Sequence, residues 1–157
     1  MIKVNDTIPA GTLQQLTASG MENHNSDELF ANKKTVMFAV PGAFTPTCSV
    51  SHLPGYVVNF DAFKAKGVDQ IICLSVNDAF VMEAWGNAQN AEHLMMLADG
   101  DGSFTKSLGL TMDTASFGGL RSQRYAMVIE NGVVTHLHVE APKEFEVSTA
   151  ESILAVL

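Results

Sequence analysis

The sequence predicts an α/β fold in which helices cover both faces of a mixed central sheet. Three observations predict it. The runs Thr35 to Val40 and Ile71 to Val76 are short, apolar and largely β-branched or bulky, as strands buried on both sides are. Each is followed by a stretch with apolar residues at helical spacing, which gives the strand-helix-strand order of parallel pairing. Near the end, Asn131-Gly132 separates two strand-like runs, Arg124 to Glu130 and Val133 to Val139, and Asn-Gly at such a place is a strong hairpin signal.

Residues 1 to 25 are polar and turn-rich, with Leu13 and Leu16 as apolar anchors between Gly11 and Gly20, and read as edge strands or loop. Asn25 followed by Ser26-Asp27-Glu28-Leu29-Phe30 has the form of a capping box opening a short helix. From Ser49 to Lys66, apolar residues at Leu53, Val57, Phe60 and Phe63 predict one helix, kinked at Pro54-Gly55 and ended by Gly67. Asn77-Asp78 supplies an N-cap, with Phe80, Val81, Ala84 and Trp85 as the inward stripe of the next helix. Leu94 to Ala98 is a further strand, Asp99-Gly100-Asp101-Gly102 a turn, Ser103 to Leu108 a weak helix, and Thr111 to Gly119 a loop. Ser148-Thr149-Ala150-Glu151 reads as a second capping box, which places Ile153, Leu154 and Leu157 inward on a final helix. There are no repeats, low-complexity tracts or linkers. In order, the elements match a thioredoxin-like arrangement.

With 157 residues, 46% of them hydrophobic, the chain can bury one good core, so residues 1–157 are expected to form a single domain. Seventeen acidic against nine basic residues give a net charge of −8, which disfavours nucleic acid and anionic membrane surfaces as partners. The first residues lack the apolar core of a signal peptide and no later run is long enough to span a bilayer, so a cytoplasmic location is expected. Two widely spaced cysteines form neither a disulfide framework nor a C-x-x-C pair, which fits a reducing compartment.

The chemistry centres on Pro41-Gly42-Ala43-Phe44-Thr45-Pro46-Thr47-Cys48, where a buried strand ends in a turn and a cysteine stands at the start of a helix. Free backbone N–H groups and the helix dipole favour an anion there, so Cys48 is placed to act as a thiolate nucleophile. A free cysteine is ordinarily inert core, but the hydroxylic flanks Thr45, Thr47, Ser49 and Ser51 suit a polar turn better. Cys73, in the middle of a buried strand, reads as structural, and could pair with Cys48 only if their Cα atoms came within bonding range. A thiolate is best served by a cation that keeps its proton, and the chain has two arginines, Arg121 and Arg124. Arg124 is expected inside the hairpin strand and firmly aimed, Arg121 in the loop before it. His136 and His138 could share a strand face as metal ligands, but no matching further ligands occur, and they read as exposed strand residues. For His52, one turn past Cys48, a hydrogen bond near the turn and an ordinary structural role both fit.

Pro41, Thr45 and Cys48 fill the P-x-x-x-T-x-x-C pattern, and VPGAFTPTCSVSHLPGY, ICLSVNDAFVMEAW and RSQRYAMVIENGVV extend the match from about residue 26 to the C-terminus. The chain resembles the type II peroxiredoxins, the peroxiredoxin-five class. That resemblance implies an antioxidant thiol peroxidase that reduces hydrogen peroxide and alkyl hydroperoxides, with Cys48 as the peroxidatic residue that becomes a sulfenic acid. It implies that Thr45 hydrogen-bonds the thiolate and the incoming oxygen, that Pro41 shields the pocket from water, and that Arg124 holds the thiolate and the developing charge, aided by the backbone N–H groups of Thr47 and Cys48. Some members carry a resolving cysteine where this chain has Ser148, so a one-cysteine variant is implied. It would bind no cofactor and use an external thiol, glutathione with glutaredoxin or else thioredoxin. A homodimer is also implied, with Phe44, Phe80 and Phe117 as candidate contacts or as ordinary core. A peroxide-sensing interaction protein would need the same thiol. A disulfide reductase would need the missing second cysteine.

Overall fold

A computed structural model describes residues 1–157. The strands β1 (Thr12–Thr17), β2 (Gly20–Asn25), β3 (Lys34–Ala39), β4 (Gln70–Ser75), β5 (Met95–Ala98), β8 (Tyr125–Glu130) and β9 (Val133–Val139) form one sheet in the order β2-β1-β5-β4-β3-β8-β9. β3, β4 and β5 pair in parallel, while β1 with β2 and β5, and β8 with β3 and β9, pair antiparallel. The sheet is therefore mixed, as the sequence predicts.

Strand alternation sorts the core into two layers. Val36, Phe38, Val40, Ile71 and Cys73 face one side, where they pack on the helices α2 (Leu53–Val58), α3 (Phe60–Ala65), α4 (Ala79–Ala88) and α6 (Ala150–Leu154). Met37, Ala39, Ile72 and Leu74 face the other, against α1 (Ser26–Leu29), α5 (Ser103–Leu108) and the N-terminal Ile2 and Ile8. Both strands are covered on both faces, which accounts for their unbroken apolar runs. The hairpin forms as predicted, with Asn131 (φ 48°) and Gly132 (φ 78°) both in the left-handed region that a two-residue turn of this kind requires.

Several local expectations are corrected. The Asn25 side chain does not cap α1: it accepts from Thr12 Oγ1 (3.1 Å), across the β1–β2 pair. The kinked helix is three pieces. Residues 48–52 (Cys48–His52) form a π-helical turn, α2 follows, and the chain bends at Asn59 before α3. Pro54 lies in the first turn of α2, where a missing N–H is tolerated, and in a continuous α-helix its ring would collide with the Val50 carbonyl; the wider turn ahead of it avoids that clash. In α4 the buried face is Ala79, Met82, Trp85 and Gly86, whereas Phe80 and Ala84 point outward. The 111–119 loop contains β6 (Thr111–Asp113), which pairs with β7 (Leu120–Ser122) in a separate two-stranded sheet. Arg124 lies one residue before β8, and Arg121, expected in the loop, is in β7. The α6 cap is Thr149, which accepts from Ser152 N (3.1 Å), so Ser148 is free for another use.

The β5–α5 connection is fixed by Asp99, 1% exposed, which accepts from Phe104 N (3.2 Å), Thr105 N (2.7 Å) and Thr105 Oγ1 (2.7 Å). Asp99→Ala removes every acceptor from this buried cluster, and a loss of about 2 kcal/mol in urea unfolding is expected. An unchanged midpoint would show that α5 does not depend on this cap.

Candidate active site

The site stands at the C-terminal end of β3, where the turn 41–47 leads into the π-helical segment. The turn is pinned from two sides. Asn77 Oδ1 accepts from Ala43 N (3.0 Å) and from Ser75 Oγ (2.7 Å), whose lone donor is shared with Val40 O (3.1 Å). From the other side, Arg121 Nη1 donates to Pro41 O (2.9 Å), its guanidinium carbon 5.6 Å from the centre of the Phe117 ring. A Cβ on Gly42 would lie 2.0 Å from Arg121 Nη1 and one on Gly118 would lie 2.3 Å from its Nε, so both positions must lack a side chain while this arginine stays in place. Phe44 adopts φ 63°, a left-handed conformation uncommon for a bulky residue, with its ring 6.5 Å from that of Trp85.

Helical backbone begins at residue 46, so Pro46 occupies the first helical position and Cys48 lies in the first turn. Ser49 N closes the first bond, to Thr45 O (2.9 Å), whereas the N–H groups of Thr47 and Cys48 have no backbone acceptor. Cys48 is fully buried, and its sulfur receives Arg124 Nη2 at 3.1 Å. Thr45, expected to bond the sulfur, donates its hydroxyl to Gly42 O instead (2.7 Å), which rigidifies the turn.

Arg124 is held in its turn. Its Nη1 contacts His52 Nδ1 (2.8 Å), and its guanidinium carbon lies 5.8 Å from the centre of the Phe145 ring. An arginine can only donate, so Nδ1 must accept; the proton is then on Nε2, which donates to Ser148 O (3.0 Å). Tyr56 donates its hydroxyl to the same carbonyl (2.8 Å), and the Tyr56 ring stacks on Phe38, with centroids 3.9 Å apart. Burial, and then the adjacent Arg124 charge, lower His52 from its ordinary 6.5 to about 3, so the ring is neutral and aims the guanidinium without competing with it. The peptide run gives one usable signal for His52, its position four residues beyond Cys48; the remote Ser148 carbonyl that makes it a bridge has none.

Ser148 is also bound to Glu140. The Glu140 carboxylate, 7% exposed, accepts from Glu146 N (2.9 and 3.0 Å), Val147 N (3.0 Å), Ser148 N (2.8 Å) and Ser148 Oγ (2.7 Å). Burial alone would raise its pKa, but the Ser148 hydroxyl and the three amides outweigh that and hold it below the usual carboxylate range. Cys73 lies in the same apolar layer as Cys48, and burial, reinforced by the nearby Cys48, pushes its thiol well above the ordinary value, so it stays protonated. His136 and His138 are half-buried on β9, and no three His, Cys, Asp or Glu side chains converge anywhere in the chain.

Beside the Arg124 guanidinium is a cleft of about 680 Å³ whose walls include Pro41, Thr47, Phe117, Glu140 and Phe145. A solitary thiol in the first turn of a helix, fixed under a guanidinium at the end of a central strand, defines a thiol-dependent oxidoreductase. The Redoxin family model matches residues 3–154. The chain is 45% identical to peroxiredoxin-2D of Arabidopsis thaliana over 159 residues, covering 99% of this chain and 98% of the relative. Among solved structures it is similar to reduced Prx3 of Vibrio vulnificus in complex with hydrogen peroxide (70% identity, TM-score 0.98, 99% of each chain) and to peroxiredoxin 5 of Alvinella pompejana (36%, TM-score 0.86, 99% of this chain and 97% of that one). The chain belongs to the Redoxin family, as a type II peroxiredoxin with one cysteine in its site, and its activity is that of a thiol peroxidase.

Because His52 is neutral when folded and binds a proton near pH 6.5 when unfolded, stability is expected to fall as pH drops from 6.5 toward 3, by at most about 1.4 kcal/mol per unit from this group. Above 6.5 neither state carries that proton and the group adds no slope. Urea unfolding of wild type and His52→Asn from pH 7 to 4 reads the difference, and identical slopes would contradict the assignment.

Proposed function

We propose that the chain reduces hydrogen peroxide and small alkyl hydroperoxides through a Cys48 sulfenic acid that glutathione and glutaredoxin, or thioredoxin, recycle. The observation that carries this reading is the 3.1 Å contact between Arg124 Nη2 and Cys48 Sγ in the first turn of a helix. In the oxidising step the sulfur attacks one peroxide oxygen, the O–O bond breaks, and the leaving oxygen departs as water or alcohol after taking a proton. Arg124 steadies the anionic sulfur and the charge gathering on the oxygens, and the free N–H groups of Thr47 and Cys48 add fixed donors. With its own proton committed to Gly42 O, Thr45 presents an oxygen that accepts from a peroxide O–H. Pro41, its carbonyl tethered by Arg121, walls the cleft against water. The apolar faces of Phe117 and Phe145 suit the carbon chain of an alkyl hydroperoxide. The solved relative with bound hydrogen peroxide supports the substrate class.

With Ser148 in place of a thiol and Cys73 held as a protonated thiol in the apolar layer, the sulfenic acid is taken to be reduced from outside the chain. An external thiol therefore condenses with it, releasing water, and a second thiol displaces the resulting mixed disulfide to restore Cys48. The cytosol is the compartment proposed for this cycle. Phe44, Phe80 and Phe117 are 57%, 65% and 79% exposed, a set of apolar side chains that favours the proposed homodimer.

Cys48→Ser is expected to abolish peroxide consumption and Cys73→Ser to retain most of it. Arg124→Lys, which cannot reproduce the guanidinium fork, should slow the reaction with hydrogen peroxide about 10²-fold. Steady-state assays with glutathione and glutaredoxin, and separately with thioredoxin, identify the reductant. A single burst with every reductant would favour a peroxide sensor over an enzyme.

A further inference from the structure

Glu140 is a carboxylate that the established chemistry does not use, yet it is buried and takes part in neither of the two ion pairs in the chain. Its partners are three consecutive amides and one hydroxyl, all from residues 146–148. A buried carboxylate is tolerated only when hydrogen bonds replace its water, so the chain must hold this segment curled around Glu140 as long as the side chain is inside. The curl sets two things that touch Arg124. It presents the Ser148 carbonyl to His52 Nε2, and His52 Nδ1 fixes Arg124 Nη1. It also closes the 141–147 segment so that Phe145 covers the guanidinium and lies 5.0 Å from the His52 ring. The main chain makes a third connection, since Glu140 N donates to Arg124 O (2.9 Å).

We propose that Glu140 is a positioning residue for the peroxidase reaction: by gathering residues 146–148 it orients Ser148 O, then His52, and through His52 the Arg124 guanidinium over Cys48. Its carboxylate oxygens are taken by the 146–148 amides and the Ser148 hydroxyl, and it makes no hydrogen bond to the Cys48 sulfur. The inference rests on the peroxidase reading for its kinetic consequence but not for its geometry, so two independent readouts are used.

The first is the second-order rate of Cys48 oxidation by hydrogen peroxide, measured by stopped flow on Glu140→Gln, Glu140→Asp, His52→Ala and the Glu140→Gln/His52→Ala pair, each shown to be folded by circular dichroism. Glutamine replaces one acceptor oxygen by a donor and should lower the rate at least 10-fold. Aspartate keeps the charge on a shorter reach and should lose less. The double variant should be no slower than the slower single variant, because both changes break one chain of contacts. The second readout is the ring ¹⁵N shifts of His52, which should show the Nε2–H tautomer in wild type and a mixture in Glu140→Gln. If Glu140→Gln does not fold, Glu140→Asp carries both measurements. A folded Glu140 variant with wild-type rate and tautomer, or losses that add fully in the double variant, would overturn the proposal. A wild type inert to peroxide whose tautomer still responds to Glu140 would overturn the peroxidase reading and leave the positioning role standing.

Discussion

Arg124 reaches Cys48 Sγ at 3.1 Å from just outside β8, and much of the surrounding structure serves to keep that guanidinium still. Long cationic side chains lose considerable rotamer freedom when fixed, so a single contact to sulfur would hold the group poorly. Here one nitrogen is taken by sulfur, another by His52, and the flat face by Phe145. Each of these is fixed further out. Phe38 and Tyr56 stack beneath His52, and the Ser148 carbonyl receives both His52 and Tyr56. The neutrality of His52 belongs to the same design, since a protonated ring beside the arginine would repel the group that it orients.

The second arginine acts on the backbone of the turn. Arg121 takes the Pro41 carbonyl and needs the bare backbone of Gly42 and Gly118 to fit, while Asn77 ties the next residue of the turn to β4 and α4. The turn that carries the thiol is thus stretched between two guanidiniums, one acting on its backbone and one on its sulfur. These are the chain's only two arginines, and both are committed to the active-site turn; its seven other cationic side chains are lysines.

Much of this was legible in the sequence where a feature is local. The strands β3 and β4 declare themselves by continuous apolar runs, the hairpin by Asn131-Gly132, and the thiol by its place between a strand and a helix. What failed depended on contacts between distant residues. Asn25 and Ser148 both looked like helix caps, but each side chain found a better partner across the fold, Thr12 in one case and Glu140 in the other. Phe80 and Ala84 fit a helical stripe as well as Met82 and Gly86 do, and only the placement of the sheet decides which face is covered. The break at Asn59 was hidden behind the stronger signal of Pro54, and the pairing of 111–113 with 120–122 behind a run of turn residues. His52 was legible only as a neighbour of the turn, and Glu140 not at all, because the carbonyl that joins them is 96 residues from one and eight from the other.

The sulfur of Cys48 belongs to a residue with no exposed surface, at the head of a π-helical turn. Hydrogen peroxide or a small alkyl hydroperoxide can enter beside such a sulfur, but a peptide or protein thiol that must approach it in line cannot. The two halves of a catalytic cycle therefore ask for different shapes: closed packing for the oxidation, and a loosened first turn for the reduction. The π-helical turn is a local departure from α-helical winding, and Pro54, just past it, has no N–H to donate back to it. Under the proposed cycle, the irregular winding just after Cys48 is the least regular stretch of backbone between the buried sulfur and a bulky reducing thiol.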